Sequence, residues 1–210
     1  MHFLILSLML SIDQGTKAVQ FARLVLEEYV RQGRASSSDL GLSFQEKQGV
    51  FVTIHTFPDH DLRGCIGIPL PVLSLKDAII ESAQSVTHDP RFPPLEENEL
   101  DAIIVEVTIL TKPTRIIVKH PKDYPSQIII GKDGLLVEDG FTSGLLLPQV
   151  PVEQGWNEEE YLSHTCMKAG LPLDAWVGKD IKISKFQGQI FTEIKPHGLI
   201  EEKRLDGPQH

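Results

Sequence analysis

The sequence predicts an α+β protein in which helices flank an antiparallel β-sheet. Three segments place apolar residues at helical spacing, whereas several others alternate apolar and polar residues as strands do. Their order is helix, hairpin, helix and further strands, without the strand–helix–strand rhythm that builds a parallel sheet. The 210 residues suffice for one domain, or for one domain with a small subdomain.

Each predicted helix begins at a residue that can cap its first turn. Ser11 and Gln14 have the spacing of a capping box, and Gly33 ends the apolar periodicity that follows. Ser74 and Asn157 stand at the same capping position before the second and third helices. These caps predict where the three helices begin.

Four segments have the pattern of β-strands. Residues 50–57 and 62–68 flank a turn rich in proline and aspartate, which predicts a hairpin. Residues 102–110 alternate as one strong strand, and residues 181–194 form one last strand or a pair of strands. These strands fit an antiparallel α+β fold.

A second hairpin is predicted around the Gly-Lys-Asp-Gly sequence at 131–134. Apolar residues at 127–130 and 135–137 flank these four residues, as they would flank a hairpin turn. The glycines also suggest a phosphate-binding loop, but the spacing differs from a P-loop and no helix follows. We therefore favour the turn.

The two chain ends are predicted to lie outside the main fold or at its margin. Residues 1–10 are almost wholly apolar, lack a preceding basic region and are too few to cross a bilayer. They predict a short buried strand or a loose tail. Residues 35–39 predict an exposed loop, and residues 197–210 a loose polar tail.

Charge and cysteine content exclude several classes of protein. The net charge is −9, from 29 acidic and 20 basic residues, so we expect binding to neither nucleic acid nor membranes. Cys65 and Cys166 are the two cysteines and form no Cys-x-x-Cys pair, which argues against a disulfide framework and a structural zinc site. We expect free thiols, a cytoplasmic location and no metal or other cofactor.

A six-residue string, LRGCIG at residues 62–67, is the most distinctive motif of the chain. Five further blocks accompany it in a fixed order: GVFVT at 49–53, DPRFPP at 89–94, IGKDGL at 130–135, GLLLPQV at 144–150, and KAGLP at 168–172 with DAW at 174–176. Together these blocks resemble the AMMECR1 family over residues 11–192. Gln48 departs from the pattern, which has a histidine before the GVFVT block.

The resemblance implies one AMMECR1-like domain of two parts. The larger part would combine both ends of the chain around an antiparallel sheet with helices, and the middle would form a smaller β-rich subdomain. The family has no established reaction. Some relatives are joined to a Memo-like domain and others are associated with radical-SAM proteins, which implies a protein partner in a modification pathway.

The LRGCIG motif also carries the candidate site. On a strand, alternate side chains point to opposite faces, so Arg63, Cys65 and Gly67 would share one face. The opposite face, directed to the core, would comprise Leu62, Gly64, Ile66 and Ile68.

Two interpretations of this face stay open. In one, the Arg63 guanidinium lowers the pKa of the Cys65 thiol, while Gly64 and Gly67 leave room for an anionic substrate. In the other, Cys65 is a small buried apolar residue and Arg63 pairs with a carboxylate. The first predicts a cysteine-dependent enzyme; the second favours a binding or accessory module.

A thiol nucleophile needs a base, and none lies near Cys65 in the sequence. His164, on the third predicted helix, is the best candidate for a catalytic partner of Cys65. Asp89 and Arg91 are candidates for substrate binding from a polar loop, but we favour the alternative, a rigid turn in which Asp89 caps the chain or pairs with Arg91. The histidines lack metal-ligand spacing, so no metal site is predicted.

Overall fold

The computed structural model describes residues 10–34, 40–178 and 181–203, and shows the predicted α+β fold. The features predicted for residues 1–9, 35–39 and 204–210 lie outside the described residues. The described chain divides into two compact units. The first comprises residues 10–111 and 189–203, and the second comprises residues 112–188.

The chain folds into four α-helices and nine strands among its described residues, with short 3₁₀ turns between some of them. In chain order the elements are α1 (Ile12–Gln32), β1 (Gly49–Thr56), β2 (Leu62–Ile68), α2 (Leu75–Ser85), β3 (Ile103–Leu110), β4 (Thr114–Arg115), β5 (Gly134–Asp139), β6 (Thr142–Leu146), α3 (Gln149–Gln154), α4 (Glu158–Lys168), β7 (Lys182–Phe186), β8 (Gly188–Glu193) and β9 (Ile200–Lys203). None of the helices among the described residues is long and apolar enough to cross a membrane.

The first unit is a five-stranded sheet with the order β2-β1-β3-β8-β9, and α1 and α2 pack on one of its faces. β1 pairs antiparallel with both β2 and β3. Alternate residues of β1 and β3 point to the helices and are fully buried, as the period of two predicts. These residues are Val50, Val52, Ile54, Ile103, Val105, Val107 and Ile109.

The predicted caps of all three helices are confirmed. The Ser11 hydroxyl accepts a hydrogen bond from the Gln14 backbone at 3.3 Å, and the Gln14 side chain accepts one from the Ser11 backbone at 2.8 Å. Asn157 and Glu160 form the same reciprocal pair at α4, and the Ser74 hydroxyl caps α2 by accepting a hydrogen bond from the Asp77 backbone. Gly33 ends α1 in the left-handed conformation that glycine adopts without steric cost.

A buried ion pair joins α1 to β8 in the first unit. Arg23 donates two hydrogen bonds of 2.5 Å to the two carboxylate oxygens of Glu193. The same guanidinium donates to the carbonyls of Leu100 and Ile103 at 3.2 and 2.8 Å. Glu193 also accepts a bond from the Val105 backbone at 2.9 Å, so both charges are embedded in a hydrogen-bond network.

The two ends of the described chain meet in the first unit. The Gln189 side-chain amide accepts a hydrogen bond from the Leu10 backbone at 2.7 Å and donates one to the Leu10 carbonyl at 3.1 Å. Phe191, on β8, is fully buried in the core under α1. The first unit is thus a discontinuous assembly of two chain segments.

The second unit has a four-stranded antiparallel sheet with the order β4-β7-β5-β6, and α4 packs against it. Its core is separate from that of the first unit and includes Leu135, Ile183, Tyr161 and Leu162. The pair of strands predicted for residues 181–194 is confirmed as β7 and β8, of which only β7 belongs to this sheet.

The hairpin predicted around residues 131–134 is wrong. Residues 127–130 form no strand, and β5 instead pairs with β6 across a turn that contains Gly140. The physical reason is Asp133, a fully buried carboxylate that accepts bonds from the Ile129 backbone and from Lys185 and Gln187, each at 3.0 Å. These bonds hold the segment as a loop against β7.

The prediction of a loose tail from residue 197 is wrong for its first part. Ile200–Lys203 forms β9, which pairs antiparallel with β8 at the edge of the first unit's sheet. The sequence does not predict this strand, because its exposed Glu-Glu-Lys segment lacks alternating apolar residues. An edge strand contributes few apolar residues to the core.

Candidate functional site

The LRGCIG motif forms β2, an outer strand of the first unit's sheet. Thr53 of β1 lies opposite Cys65, and the other edge of β2 faces the loop that follows α2. This loop, DPRFPP, cannot extend the helix because its prolines lack backbone donors and restrict the residues before them. Asp89 and Arg91 are thereby placed beside Cys65.

Asp89 is the centre of this site. Its side chain is buried and its Oδ2 accepts a hydrogen bond from the Cys65 backbone at 2.9 Å. Arg91 donates to the two carboxylate oxygens from Nε at 3.0 Å and from Nη2 at 2.7 Å. These charge-assisted bonds from Arg91 hold the pKa of Asp89 well below its ordinary value.

Arg91 also bonds to the outer edge of β2. Its Nη2 donates to the Cys65 carbonyl at 3.2 Å, so Asp89 and Arg91 together satisfy both backbone groups of Cys65. The Arg91 side chain remains 54% exposed, and its guanidinium lies 5.6 Å from the centre of the Phe92 ring. The loop therefore holds an exposed cation in a fixed position.

Arg63 does not act on the Cys65 thiol as the enzyme interpretation predicts. Its guanidinium forms two hydrogen bonds with the Glu99 carboxylate, at 2.8 and 3.0 Å, and a third with the Pro94 carbonyl at 3.3 Å. Arg63 in turn lowers the pKa of Glu99. This is the carboxylate pairing that the second interpretation describes.

The Cys65 thiol lies half-buried on the sheet face opposite the helices. Its sulfur accepts a hydrogen bond from the Thr53 hydroxyl at 3.3 Å. Burial raises the pKa of Cys65, and the Thr53 hydrogen bond and the Arg91 charge oppose that shift only in part. Arg63 is not among the groups that shift this pKa, so the enzyme interpretation gains no support from it.

Both glycines of the motif pack closely against the protein's own atoms, and their role in substrate binding stays a prediction. A Cβ on Gly67 would lie 2.3 Å from the Val50 carbonyl, and one on Gly64 would lie 3.0 Å from the Val86 carbonyl. Leu62 was expected in the core but is 41% exposed. Leu62 pairs with His55, on the far side of a register shift between Ile54 and His55. This irregularity interrupts the alternation of side chains between the two faces of β2.

We expect Gly67→Ala to lower the free energy of unfolding by about 1–2 kcal/mol, because the added methyl group meets backbone that cannot rotate away. Gly64→Ala should cost less, because its nearest contacts, with Val86, are at 3.0 Å rather than 2.3 Å. Urea denaturation of both variants measures the difference. Equal stability of Gly67→Ala and the wild type would contradict this close packing.

His164, the predicted catalytic partner, lies on α4 of the second unit, whereas Cys65 lies on β2 of the first. Its ring stacks on Trp156 with the ring centres 3.8 Å apart and the planes 5° apart. The stacking explains the position of His164 by packing, and its pairing with Cys65 stays a prediction. No group of three metal-ligating side chains is found within the described ranges.

Thr53 and Glu99 are the site residues that the sequence did not indicate. Thr53 could have been found from the alternation of β1, because it follows Val52 and must face away from the helices. Glu99 gave no such signal, because it lies in a 3₁₀ turn 36 residues beyond its partner Arg63.

Comparison with other proteins agrees with the motifs. The AMMECR1 family model matches residues 19–191. Protein MJ0810 of Methanocaldococcus jannaschii is 52% identical over 198 residues, covering 94% of this chain and 98% of that protein. Protein MK0488 of Methanopyrus kandleri is 45% identical over 199 residues, covering 93% and 96%.

A solved structure shows the same fold. The crystal structure of the uncharacterized protein PH0010 from Pyrococcus horikoshii matches with a TM-score of 0.81 and 46% sequence identity. The match covers 92% of this chain and 98% of that one. By motif, family model and fold, this chain belongs to the AMMECR1 family.

Proposed function

We propose that this protein is a binding or accessory module that acts with a Memo-like or radical-SAM protein in a modification pathway. The choice of partner rests on the associations of the family. The names of the relatives described above assign no activity to them. A cytoplasmic location and the absence of nucleic-acid binding, both expected from composition, belong to the same proposal.

The observation that carries the proposal is the fixed, half-exposed guanidinium of Arg91. Asp89 and the Cys65 carbonyl hold Nε and Nη2, so the side chain is ordered before any partner arrives. A group ordered in advance loses little conformational entropy on binding. Arginine beside an aromatic ring, here Phe92, is also the kind of residue that dominates binding energy at protein interfaces.

The alternative, a cysteine-dependent enzyme for a small anionic substrate, has less support. Its two requirements are a lowered thiol pKa and an arginine free to bind the anion. Burial raises the pKa of Cys65, and Arg63 is occupied by Glu99. The site is thus better suited to present a rigid surface than to attack a substrate.

Measurement of binding tests the proposal directly. A Memo-like and a radical-SAM protein from the same organism are purified separately, and their affinities for this chain are measured by biolayer interferometry. We expect one of them to bind, and Arg91→Gln to weaken that binding at least about tenfold. Lys17→Gln, which removes an exposed charge from α1, is the matched control and should bind like the wild type. Absence of binding at micromolar concentrations would contradict the proposal.

The pH dependence of thiol labelling separates the two classes of function. With Cys166→Ala in every background, we expect Cys65 to react with iodoacetamide at an apparent pKa above the free-thiol value of about 8.5. Arg63→Gln should leave that pKa nearly unchanged, because Arg63 is bonded to Glu99. Thr53→Val should raise it further, since the hydroxyl donates to the sulfur.

An apparent pKa below the free-thiol value that rises in Arg63→Gln would restore the enzyme alternative. Circular dichroism of each variant confirms that the protein remains folded, so that a change in labelling reports the thiol and not unfolding.

A further inference from the structure

The first unit contains a second concave site, separate from the Asp89–Arg91 loop. It is a cavity of about 380 Å³ beside β1, β3, β8 and β9. Its polar lining includes His55, His60, Glu106, Glu193, Glu201 and Lys203. Its volume is at the lower end of the range for small-molecule sites, roughly 300–1,000 Å³. A ligand of amino-acid size fits such a volume.

The cavity contains a buried carboxylate whose ion pair with Lys203 is longer than a hydrogen bond. Glu106 lies on β3 opposite Thr53 and is only 8% exposed. The nearest cation is Lys203, whose Nζ lies 3.6 Å from Oε2 of Glu106, longer than a charge-assisted hydrogen bond. Lys203 is itself 56% exposed. A buried carboxylate is stabilised by closer donors, and an ammonium group in the cavity would supply them.

The two signs of charge in the cavity restrict what it can bind. Glu106 and Glu201 contribute two carboxylates, and Lys203 contributes one ammonium group. Glu193 also lines the cavity, but its carboxylate is paired with Arg23. Burial lowers the pKa of His55, which favours the neutral imidazole, a hydrogen-bond donor or acceptor. A simple anion would meet two carboxylates, and a polyamine would meet Lys203. A molecule with one charge of each sign complements the lining.

We propose that this cavity binds a small zwitterion with a primary ammonium group and a carboxylate, that is, a free α-amino acid. The ammonium group would lie against Glu106 and Glu201, and the carboxylate against Lys203. Thr192 and the imidazoles supply further hydrogen-bond partners. This site is independent of the partner-binding role proposed for Arg91, because the two use different residues.

Ligand-observed NMR with the proteinogenic L-amino acids as probes tests this inference on the whole protein. We expect at least one of them to bind with a dissociation constant of millimolar or below. Its 2-hydroxy-acid analogue, which lacks the ammonium group, and its decarboxylated amine should each bind at least about tenfold more weakly. These two analogues show whether both charges are recognised.

Variants then locate the binding. Glu106→Gln and Lys203→Gln should each weaken it at least about tenfold, because each removes one charge partner. Glu81→Gln removes an exposed carboxylate from α2, on the helix side of the sheet, and should change nothing. If Glu106→Gln does not fold, Glu201→Gln replaces it, since that residue is exposed on the edge strand β9.

Three results would overturn the inference. They are the failure of every amino acid to bind at millimolar concentration, equal binding of the 2-hydroxy acid, and binding that survives the Glu106→Gln and Lys203→Gln substitutions. None of these bears on the Arg91 surface, whose own test is the affinity for a partner protein. A negative result in one test therefore leaves the other proposal unaffected.

Discussion

Replacing Arg23 by methionine is expected to lower the free energy of unfolding by about 3–5 kcal/mol. The substitution preserves the apolar stem of the side chain but leaves the Glu193 carboxylate buried without its cation. The carbonyls of Leu100 and Ile103 lose their donors as well. Urea denaturation at neutral pH, followed by circular dichroism, measures the loss.

Arg31→Met is the matched control for Arg23→Met. Arg31 lies in the same helix and forms ion pairs with Glu27 and Glu97, but it is largely exposed. Pairs of that kind contribute at most about 1 kcal/mol. The double variant Arg23→Met, Glu193→Met should be more stable than Arg23→Met alone, because it removes the unpaired charge. A loss below about 1 kcal/mol for Arg23→Met would show that the ion pair is not important for stability.

Replacing Asp89 by asparagine is expected to destabilise the protein by about 2–3 kcal/mol at neutral pH. The amide keeps the shape of the carboxylate, but its NH₂ group faces the donors of Arg91 and the Cys65 backbone. Asp59→Asn, in the exposed turn between β1 and β2, is the control and should have little effect. Urea denaturation again gives the difference.

The effect of Asp89→Asn should shrink in acid. Because the folded state holds the pKa of Asp89 below its ordinary value, the carboxylate stabilises the fold at pH values above the unfolded pKa of about 3.9. That contribution is lost as the pH falls from there towards the lower folded pKa. The stability difference between wild type and Asp89→Asn should therefore begin to shrink as the pH falls below about 3.9, and a difference that stays constant in acid would exclude ionised Asp89 as the cause.

The features that the sequence predicted are those that a few neighbouring residues determine. Ser11, Ser74 and Asn157 were identified as caps because a cap acts within one helical turn. The buried faces of β1 and β3 followed from the alternation of their side chains. The LRGCIG motif was likewise placed correctly on a strand, as β2.

The features that the sequence did not predict depend on residues far apart in the chain. Arg63 and Cys65 lie two residues apart on one strand, and this spacing suggests that they interact. Arg63 instead pairs with Glu99, 36 residues further along the chain. The buried Asp133 carboxylate accepts hydrogen bonds from Lys185 and Gln187, which hold residues 131–134 as a loop. The two glycines of this segment predict a hairpin turn only because these distant partners cannot be recognised in the sequence. Local spacing shows which side chains share a face, but their partners are set by the tertiary fold.

The discontinuity of the first unit has a consequence for the order of folding during synthesis. β8 and β9 supply Phe191 and Glu193 to that unit, and the ribosome adds them after the whole of the second unit. The chain emerges amino terminus first, and a domain folds once all its segments are available. The sheet of residues 112–188 can thus form before β8 and β9 have been synthesised. Until then, the sheet of the first unit lacks these two strands. A nascent chain halted before residue 189 would expose the apolar surface that Phe191 covers, and chaperones would recognise it there.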